Sequence, residues 1–384
     1  MVIKPRIRGF ICTTAHPAGC AERVRLDVET AESAGGIRGG PGLALVIGAS
    51  SGYGLACRIQ AAFACGAKTV GVSFERAPLG DRTGTAGFYN TAAFDRMSKG
   101  RGIAGASING DAFLPETKAQ AIQAVKSLGG KVDLVIYSLA APRRTENGVT
   151  WNSVIKPVGS PFRGKSVDVQ TGQVSEVEIA PATQSEIDAT VKVMGGEDWL
   201  AWIRALDEED VLAENCVSAA FSYIGPEKTH AIYKNGTIGK AKEHLQNCAR
   251  EINALLTPMG GRAFVSVNKA LVTQASSAIP VVPLYISLLY RVMKDAGLHE
   301  DCQAQAARLF GLLYGDRAAP TDAQGRIRLD DWEMRQDIQA EVERRWQAVT
   351  SENIARLADL QGYRDDFLRL FGFGLDGVDY DADV

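Results

Sequence analysis

Leu43-Ala-Leu-Val-Ile-Gly-Ala-Ser-Ser-Gly-Tyr-Gly54 is the stretch on which the reading of this chain turns. Five apolar residues bounded by glycine read as a strand buried on both faces, and Leu55 to Ala64, just past the turn, has helical composition. Gly48, Gly52 and Gly54, in GxxxGxG spacing, let bare backbone approach a helix amino terminus, where a pyrophosphate can rest on unpaired N–H groups. Glycine turns between strand and helix also arise for packing alone, so the reading needs support from elsewhere. Glu75 supplies it, because it stands about twenty positions beyond the last glycine, at the end of the next apolar run, where a dinucleotide site needs a carboxylate for the adenosine ribose hydroxyls. A carboxylate there repels the extra phosphate of NADPH, so NADH is the expected cofactor; neighbouring Arg76 is the residue that could turn toward a phosphate instead.

The same residues satisfy GxSxG, with Ser50 as the nucleophile of a serine hydrolase. Too little chain precedes Ser50 to supply the strands and oxyanion loop of such an enzyme, and His16 is followed by Pro17-Ala18 rather than by glycines. A second alternative is a dinucleotide-binding sensor that keeps the fold and does no chemistry.

Outward from the turn, Thr69 to Phe74, Ile103 to Ile108, Val132 to Leu139, Val217 to Ile224 and Ala263 to Val267 read as five more buried strands, most of them separated by helix-sized segments such as Glu116 to Leu128 and Lys240 to Leu256. That alternation predicts an α/β chain with a Rossmann-like, doubly wound parallel sheet, forming a single domain over 1–384. Residues 1–42 read as a β-like extension (Val2 to Ile11, Val24 to Val28) followed by the glycine-rich Ala34 to Gly42. Residues 143–196 read as an elaborated loop or small subdomain on the substrate side, and 280–372 as mainly helical. Asp376 to Val384 is acidic and reads as frayed.

Bulk composition narrows the partners. With 384 residues, 46% of them apolar, a large core can form, and a net charge of −3 with interspersed signs gives no pull toward nucleic acid or an anionic membrane. Seven cysteines without a CxxC and only four histidines argue for a reducing compartment and against a structural metal site. The most apolar window, Ile279 to Tyr290, is short and broken by Pro280 and Pro283, and the amino terminus lacks a signal-like apolar run, so no membrane insertion and a cytoplasmic location are expected.

Hydride delivered to a double bond conjugated with a carbonyl leaves negative charge on the oxygen, which calls for a hydrogen-bond donor and a nearby cation. Tyr290 and Lys294 have the YxxxK spacing of short-chain reductases but lie in a strongly apolar helix, so Tyr290 reads as a core residue. Tyr233 is better placed, between the fifth core strand and the next helix. Asn235-Gly236 and Gly239 predict that it sits in a turn with Lys240 and Lys242 in the first helical turns, which leaves both lysines open as its partner. Tyr223, at the end of the preceding strand, is a candidate to face the acyl group.

These residues sit within longer strings: MVIKPRIRGFICTTAHPAGC at the start, GASSGYG, SYIGPE, the Tyr-x8-Lys pair Tyr233 and Lys242, and VNKALVTQASSAIP. With them the chain resembles, essentially end to end, the FabV type of enoyl-acyl-carrier-protein reductase and the related trans-2-enoyl-CoA reductases. The resemblance implies NADH-dependent reduction of the 2,3 double bond of a trans-2-enoyl thioester carried on acyl carrier protein or coenzyme A, the last reductive step of fatty acid elongation, by a monomer. It implies cofactor contacts from Gly48, Ala49, Ser50, Ser51, Gly52 and Tyr53, from Phe74 and Glu75, from Asp111 and Ala112 beside the adenine, from Leu139 and Ala140, and from Leu271, Val272 and Thr273. Tyr233 is implied as proton donor, Lys242 as the holder of the nicotinamide ribose, in preference to Lys240, and Tyr223 as a substrate contact. Arg143, Arg144, Arg163 and Lys165 are candidates to meet the acidic carrier or the phosphates of coenzyme A.

Overall fold

The computed structural model describes residues 2–9, 11–33 and 35–383; Met1, Phe10, Ala34 and Val384 lie outside the described residues, and with them a part of each stretch read above in which they fall. The chain opens with two short antiparallel strands, β1 (Ile7–Arg8) and β2 (Ile11–Cys12), and the 17-residue helix α1 (Pro17–Ser33). The β-like reading of Val24 to Val28 is therefore corrected. Cys20, Val24, Val28 and Ala31 recur at three- and four-residue spacing, and the last three bury a helix face against Leu55, Ile59 and Phe94. Packing of that face overrides the strand preference of two isolated valines.

Strand and helix then alternate as β3 (Leu43–Ile47), α2 (Gly52–Ile59) with a π-helical turn after it, β4 (Lys68–Ser73), α3 (Ala86–Gly100), β5 (Gly105–Asn109), α4 (Pro115–Ser127) and β6 (Val132–Tyr137). The chain next leaves the sheet for two antiparallel hairpins, β7 (Arg143–Glu146) with β8 (Val149–Asn152) and β9 (Phe162–Val167) with β10 (Val174–Ile179), followed by α5 (Gln184–Met194) and α6 (Glu197–Glu208). It re-enters as β11 (Leu212–Ser222) and passes through α7 (Glu227–His230) and α8 (Thr237–Leu256) to β12 (Arg262–Val267). Helices α9 (Val282–Asp295) and α10 (Cys302–Leu313) follow. The two-residue strand β13 (Ile327–Arg328) comes next, then α11 (Gln336–Ala348), α12 (Ile354–Leu357) and α13 (Leu360–Arg369).

The main sheet has seven strands in the order β13-β12-β11-β6-β3-β4-β5, with every neighbouring pair parallel. Its doubly wound form is the one the alternation predicts. The seventh strand is an addition inside the stretch read as helical: Ile327 and Arg328 pair with Ser266 and Val267, and two residues are too few to carry a period. Leu43, Leu45 and Ile47 face a core with Trp199, Trp202 and Ile252, while Ala44 and Val46 face one with Leu309 and Phe310. Layers on both faces account for the unbroken apolar run of β3. Helix α9 is buried nearly all round and centres a separate core closed by α11 and α13.

Up to Asp383 the terminal residues are tied down at Tyr380 rather than frayed, and Val384 lies outside the described residues. Tyr380 packs edge-on against His16 at 4.9 Å, accepts from the Leu375 N–H at 3.0 Å and donates to the Gly372 carbonyl at 3.1 Å. An acidic composition says nothing of a single aromatic anchor. All seven cysteines are free thiols, and among the described residues no helix is long and apolar enough to cross a membrane. Tyr380→Ala removes this anchor and should destabilise the fold by about 2 kcal/mol. A urea titration with an unchanged midpoint would return the terminus to a frayed state.

Candidate active site

β3 is flanked by β4 and β6, and the chain continues only to β4, so the strand order reverses between β3 and β6. In open parallel sheets the crevice at such a point, beyond the strand ends, is where ligands bind. Gly48 leaves β3 there at φ +86, a left-handed conformation that favours glycine, and its N–H and that of Ala49 both donate to the Val72 carbonyl. A Cβ at Gly48 would stand 2.1 Å from the Ser138 carbonyl oxygen, and one at Gly54 1.9 Å from that of Gly48. Gly52, at φ +54, has nothing within 4 Å of the Cβ position, so the turn is closed toward the sheet and open toward the crevice. A cavity of about 490 Å³ borders Ser51, Gly52, Leu271 and Val272, bringing the turn and the segment after β12 to one space.

Glu75 lies just past the end of β4. Its backbone N–H donates to the Asn109 side chain at 2.7 Å, and its two carboxylate oxygens accept from the hydroxyls of Ser50 and Thr85. Gly87 is the unread requirement for this placement, because a Cβ there would lie 2.0 Å from a Glu75 carboxylate oxygen. Ser50 is buried with its hydroxyl on a carboxylate and not on an imidazole, an arrangement unlike a serine nucleophile. Phe74, 77% exposed, stands beside Glu75 as a bare aromatic face. Asp111 accepts from the Phe113 N–H, Ala112 is buried, Leu139 is half-buried and Ala140 exposed, all at the ends of β5 and β6. Leu271 and Val272 are buried and Thr273 half-buried; the Val272 N–H donates to the Tyr290 hydroxyl at 3.1 Å, which with its burial makes Tyr290 the core residue expected.

Tyr233 lies in a turn whose carbonyl accepts from both Gly236 and Gly239, the latter packed so that a Cβ would stand 1.7 Å from the Lys234 carbonyl oxygen. That turn lays the Tyr233 ring edge-on to Tyr223 at 5.0 Å. Lys242, two helical turns on, aims inward, and its Nζ donates to the Phe221 carbonyl at 2.9 Å at the end of β11. Lys240 points outward to Glu243 at 2.9 Å. Among the described residues the Tyr233 hydroxyl has no hydrogen-bond partner. The other tyrosines around it are engaged: Tyr53 donates to the Lys269 carbonyl and stacks on Phe221 at 5.1 Å, and Tyr223 and Tyr285 both donate to Glu333. Burial pushes the Tyr233 phenol well above its ordinary value and pulls the Lys242 ammonium down to about 8. An ammonium that favours the ionised phenol would act the other way; burial, not Lys242, governs Tyr233 in this arrangement.

Two of the four basic candidates are spent on the fold. Arg144 is buried and pairs with Glu146 and Glu197, and the Lys165 ammonium donates to the carbonyls of Trp346, Gln347 and Val349 at the end of α11. Arg163 pairs with Glu178 across its hairpin and Arg143 is exposed. Sequence reading missed Glu333, buried and far from every motif quoted above, and singled out no role for Lys269, which is buried within VNKALVTQASSAIP and pulled down to about 8 mainly by burial. No local pattern around Glu333 distinguishes it from a surface charge, whereas the apolar string around Lys269 is the signal that could have pointed to its burial.

A glycine turn open on one side, a carboxylate at the end of the following strand and an inward lysine fit a nicotinamide dinucleotide. The comparisons agree. A family profile described as the trans-2-enoyl-CoA reductase catalytic region matches residues 82–314, and one described as the NAD(P)H binding domain of trans-2-enoyl-CoA reductase matches 2–80. A Coxiella burnetii protein named enoyl-(acyl-carrier-protein) reductase (NADH) is 54% identical over 389 residues, covering 100% of this chain and 96% of its own. The crystal structure of Clostridium acetobutulicum trans-2-enoyl-CoA reductase in complex with NADH superposes with a TM-score of 0.97 at 43% identity, covering 100% of this chain and 98% of that one. The Treponema denticola enzyme of the same name, in complex with NAD, gives 0.96 at 48%, with the same coverage. A third profile, described as an enoyl reductase FAD binding domain, matches residues 321–384. The residues there do not fit a flavin dinucleotide. β13 is two residues long, the Leu329 and Asp330 N–H groups after it are spent on the Val267 carbonyl, and Val342, Tyr363 and Phe367 are core.

Replacing Glu75 by alanine removes the charge that repels a ribose phosphate, so the preference for NADH over NADPH in kcat/KM should fall by about tenfold or more. Discrimination left intact would take Glu75 out of the cofactor site.

Proposed function

The chain belongs to the trans-2-enoyl-CoA reductase family, and from that premise we propose how its own side chains carry out the reaction. The reaction is the NADH-dependent reduction of the 2,3 double bond of an enoyl thioester. The dinucleotide is held by Gly48 to Tyr53, by Glu75 at the adenosine ribose with Phe74 beside it, by Asp111 and Ala112 at the adenine, by Leu139 and Ala140, and by Leu271 to Thr273. Reduced nicotinamide, when bound, supplies the hydride for the β-carbon.

Charge that develops on the thioester oxygen meets the Tyr233 hydroxyl, which donates its proton, while Lys242 orients the nicotinamide ribose and Tyr223 lines the acyl side. The observation that carries this reading is the unpartnered Tyr233 hydroxyl among tyrosines whose hydroxyls are all engaged. Its high pKa keeps the proton in place until an acceptor arrives, and no internal bond has to break first. Thioesters of acyl carrier protein and of coenzyme A are both proposed as substrates, in the reduction that completes a round of fatty acid elongation. The whole chain acts as one unit, a monomer in the cytoplasm, with residues 143–196 walling the substrate side; seven free thiols support the reducing compartment.

NADH oxidation with crotonyl-CoA tests the assignment. Tyr233→Phe should lower kcat by about a hundredfold or more while NADH still binds. Lys242→Met should lower kcat and weaken NADH. Full turnover in both would overturn the assignment. The pH dependence has a definite sign: Lys242 in the free enzyme carries its proton below about 8 and loses it above. NADH affinity should therefore decline as pH rises through about 8, and the decline should vanish in Lys242→Met. If the decline persists in that variant, it belongs to Lys269, which titrates in the same range.

A further inference from the structure

Two tyrosines, edge to face at 5.0 Å, stand where a single proton is to be donated. They differ in what holds their protons. The Tyr223 hydroxyl donates at 3.0 Å to one carboxylate oxygen of Glu333, which also accepts from Tyr285 at 2.7 Å. The other carboxylate oxygen accepts the Ala270 N–H at 2.6 Å, at the start of the segment that leads to Leu271, Val272 and Thr273. Gln339 completes the cluster, its Nε2 donating to the Tyr285 hydroxyl at 3.0 Å and to the Glu333 carbonyl at 2.8 Å. Glu333 is 0% exposed, so water does not compete for these bonds.

We propose that Glu333 is a positioning residue that decides which tyrosine is the donor: by accepting the Tyr223 proton it leaves Tyr223 only lone pairs to offer the substrate and reserves donation for Tyr233. The inference rests on Tyr233 being the proton donor. A carboxylate is suited to the task because in its ionised form it can only accept, so both phenols meeting it are compelled to point their hydrogens at Glu333. Burial raises the Glu333 pKa, and against it the Lys269 charge and the donors that converge on the two oxygens favour the ionised form. The same carboxylate ties the substrate-side tyrosine to the backbone that leads into Leu271, Val272 and Thr273. Tyr223 thus stays fixed in place as well as in polarity.

Exchanging the acceptor for a group that can donate tests the idea. In Glu333→Gln the side-chain amide can hydrogen-bond to the Tyr223 oxygen, and the phenolic proton becomes free to turn into the cleft. Turnover of crotonyl-CoA would be measured for Tyr233→Phe, for Tyr233→Phe with Glu333→Gln, and for both with Tyr223→Phe added, alongside thermal unfolding and NADH titration of each. The first variant should be slow, the second at least about tenfold faster than the first, and the third slow again, since a general acid is worth about a hundredfold or more. A folded, NADH-binding second variant no faster than the first overturns the proposal and leaves the donor role of Tyr233 standing. Full speed in Tyr233→Phe alone overturns both. If Glu333→Gln does not fold, Glu333→Met, which removes the acceptor without adding a donor, gives the same readout.

Discussion

Three backbone segments meet at the end of β3 with no side chain between them: the turn at Gly48, the start of α2 at Gly54 and the end of β6 at Ser138. Any Cβ at Gly48 or Gly54 would collide with a carbonyl oxygen, so the turn can press against the sheet only because those positions are glycine. From that contact follows the side on which the turn is open, and with it the crevice proposed for the dinucleotide. Glu75, Asp111, Leu139 and Thr273 are brought to the same rim because every strand of the sheet runs parallel and ends there.

Across the crevice the chemistry is set by burial. Removing a phenol and an ammonium from water moves their proton affinities in opposite directions, upward for Tyr233 and downward for Lys242, and each shift favours the neutral form. Cofactor and substrate bring charge to a place where the protein has left one phenol uncommitted. The surrounding tyrosine hydroxyls are held by a carbonyl, by a backbone amide or by Glu333, which leaves the Tyr233 hydroxyl as the one of this group without a partner among the described residues.

Lysine choice illustrates how little spacing alone can say. Lys240 and Lys242 both fall near the start of α8, and a turn containing Gly236 and Gly239 defeats any helical-wheel argument from Tyr233. Folding separates them at once, Lys240 to an exposed glutamate and Lys242 to the end of β11. Arg144 and Lys165 show the opposite hazard. In sequence they are basic residues of a polar loop, whereas in the structure one is buried among carboxylates and the other caps the carbonyl end of α11.

Periodicity and glycine spacing in the sequence were enough to establish the parallel sheet and six of its strands, and to single out the glycine turn and Glu75 as candidates, because each is a local pattern bound to a local conformation. Helix α1 was legible in the same way and was obscured by two valines; β13 was not, since two residues carry no period. Only the tertiary structure could decide which hydroxyl stays free, which lysine points inward and that Glu333 lies against Tyr223 from 110 positions away. Such facts depend on where distant segments cross, and a hydrogen bond between side chains on separate elements leaves no trace in the order of residues along either one.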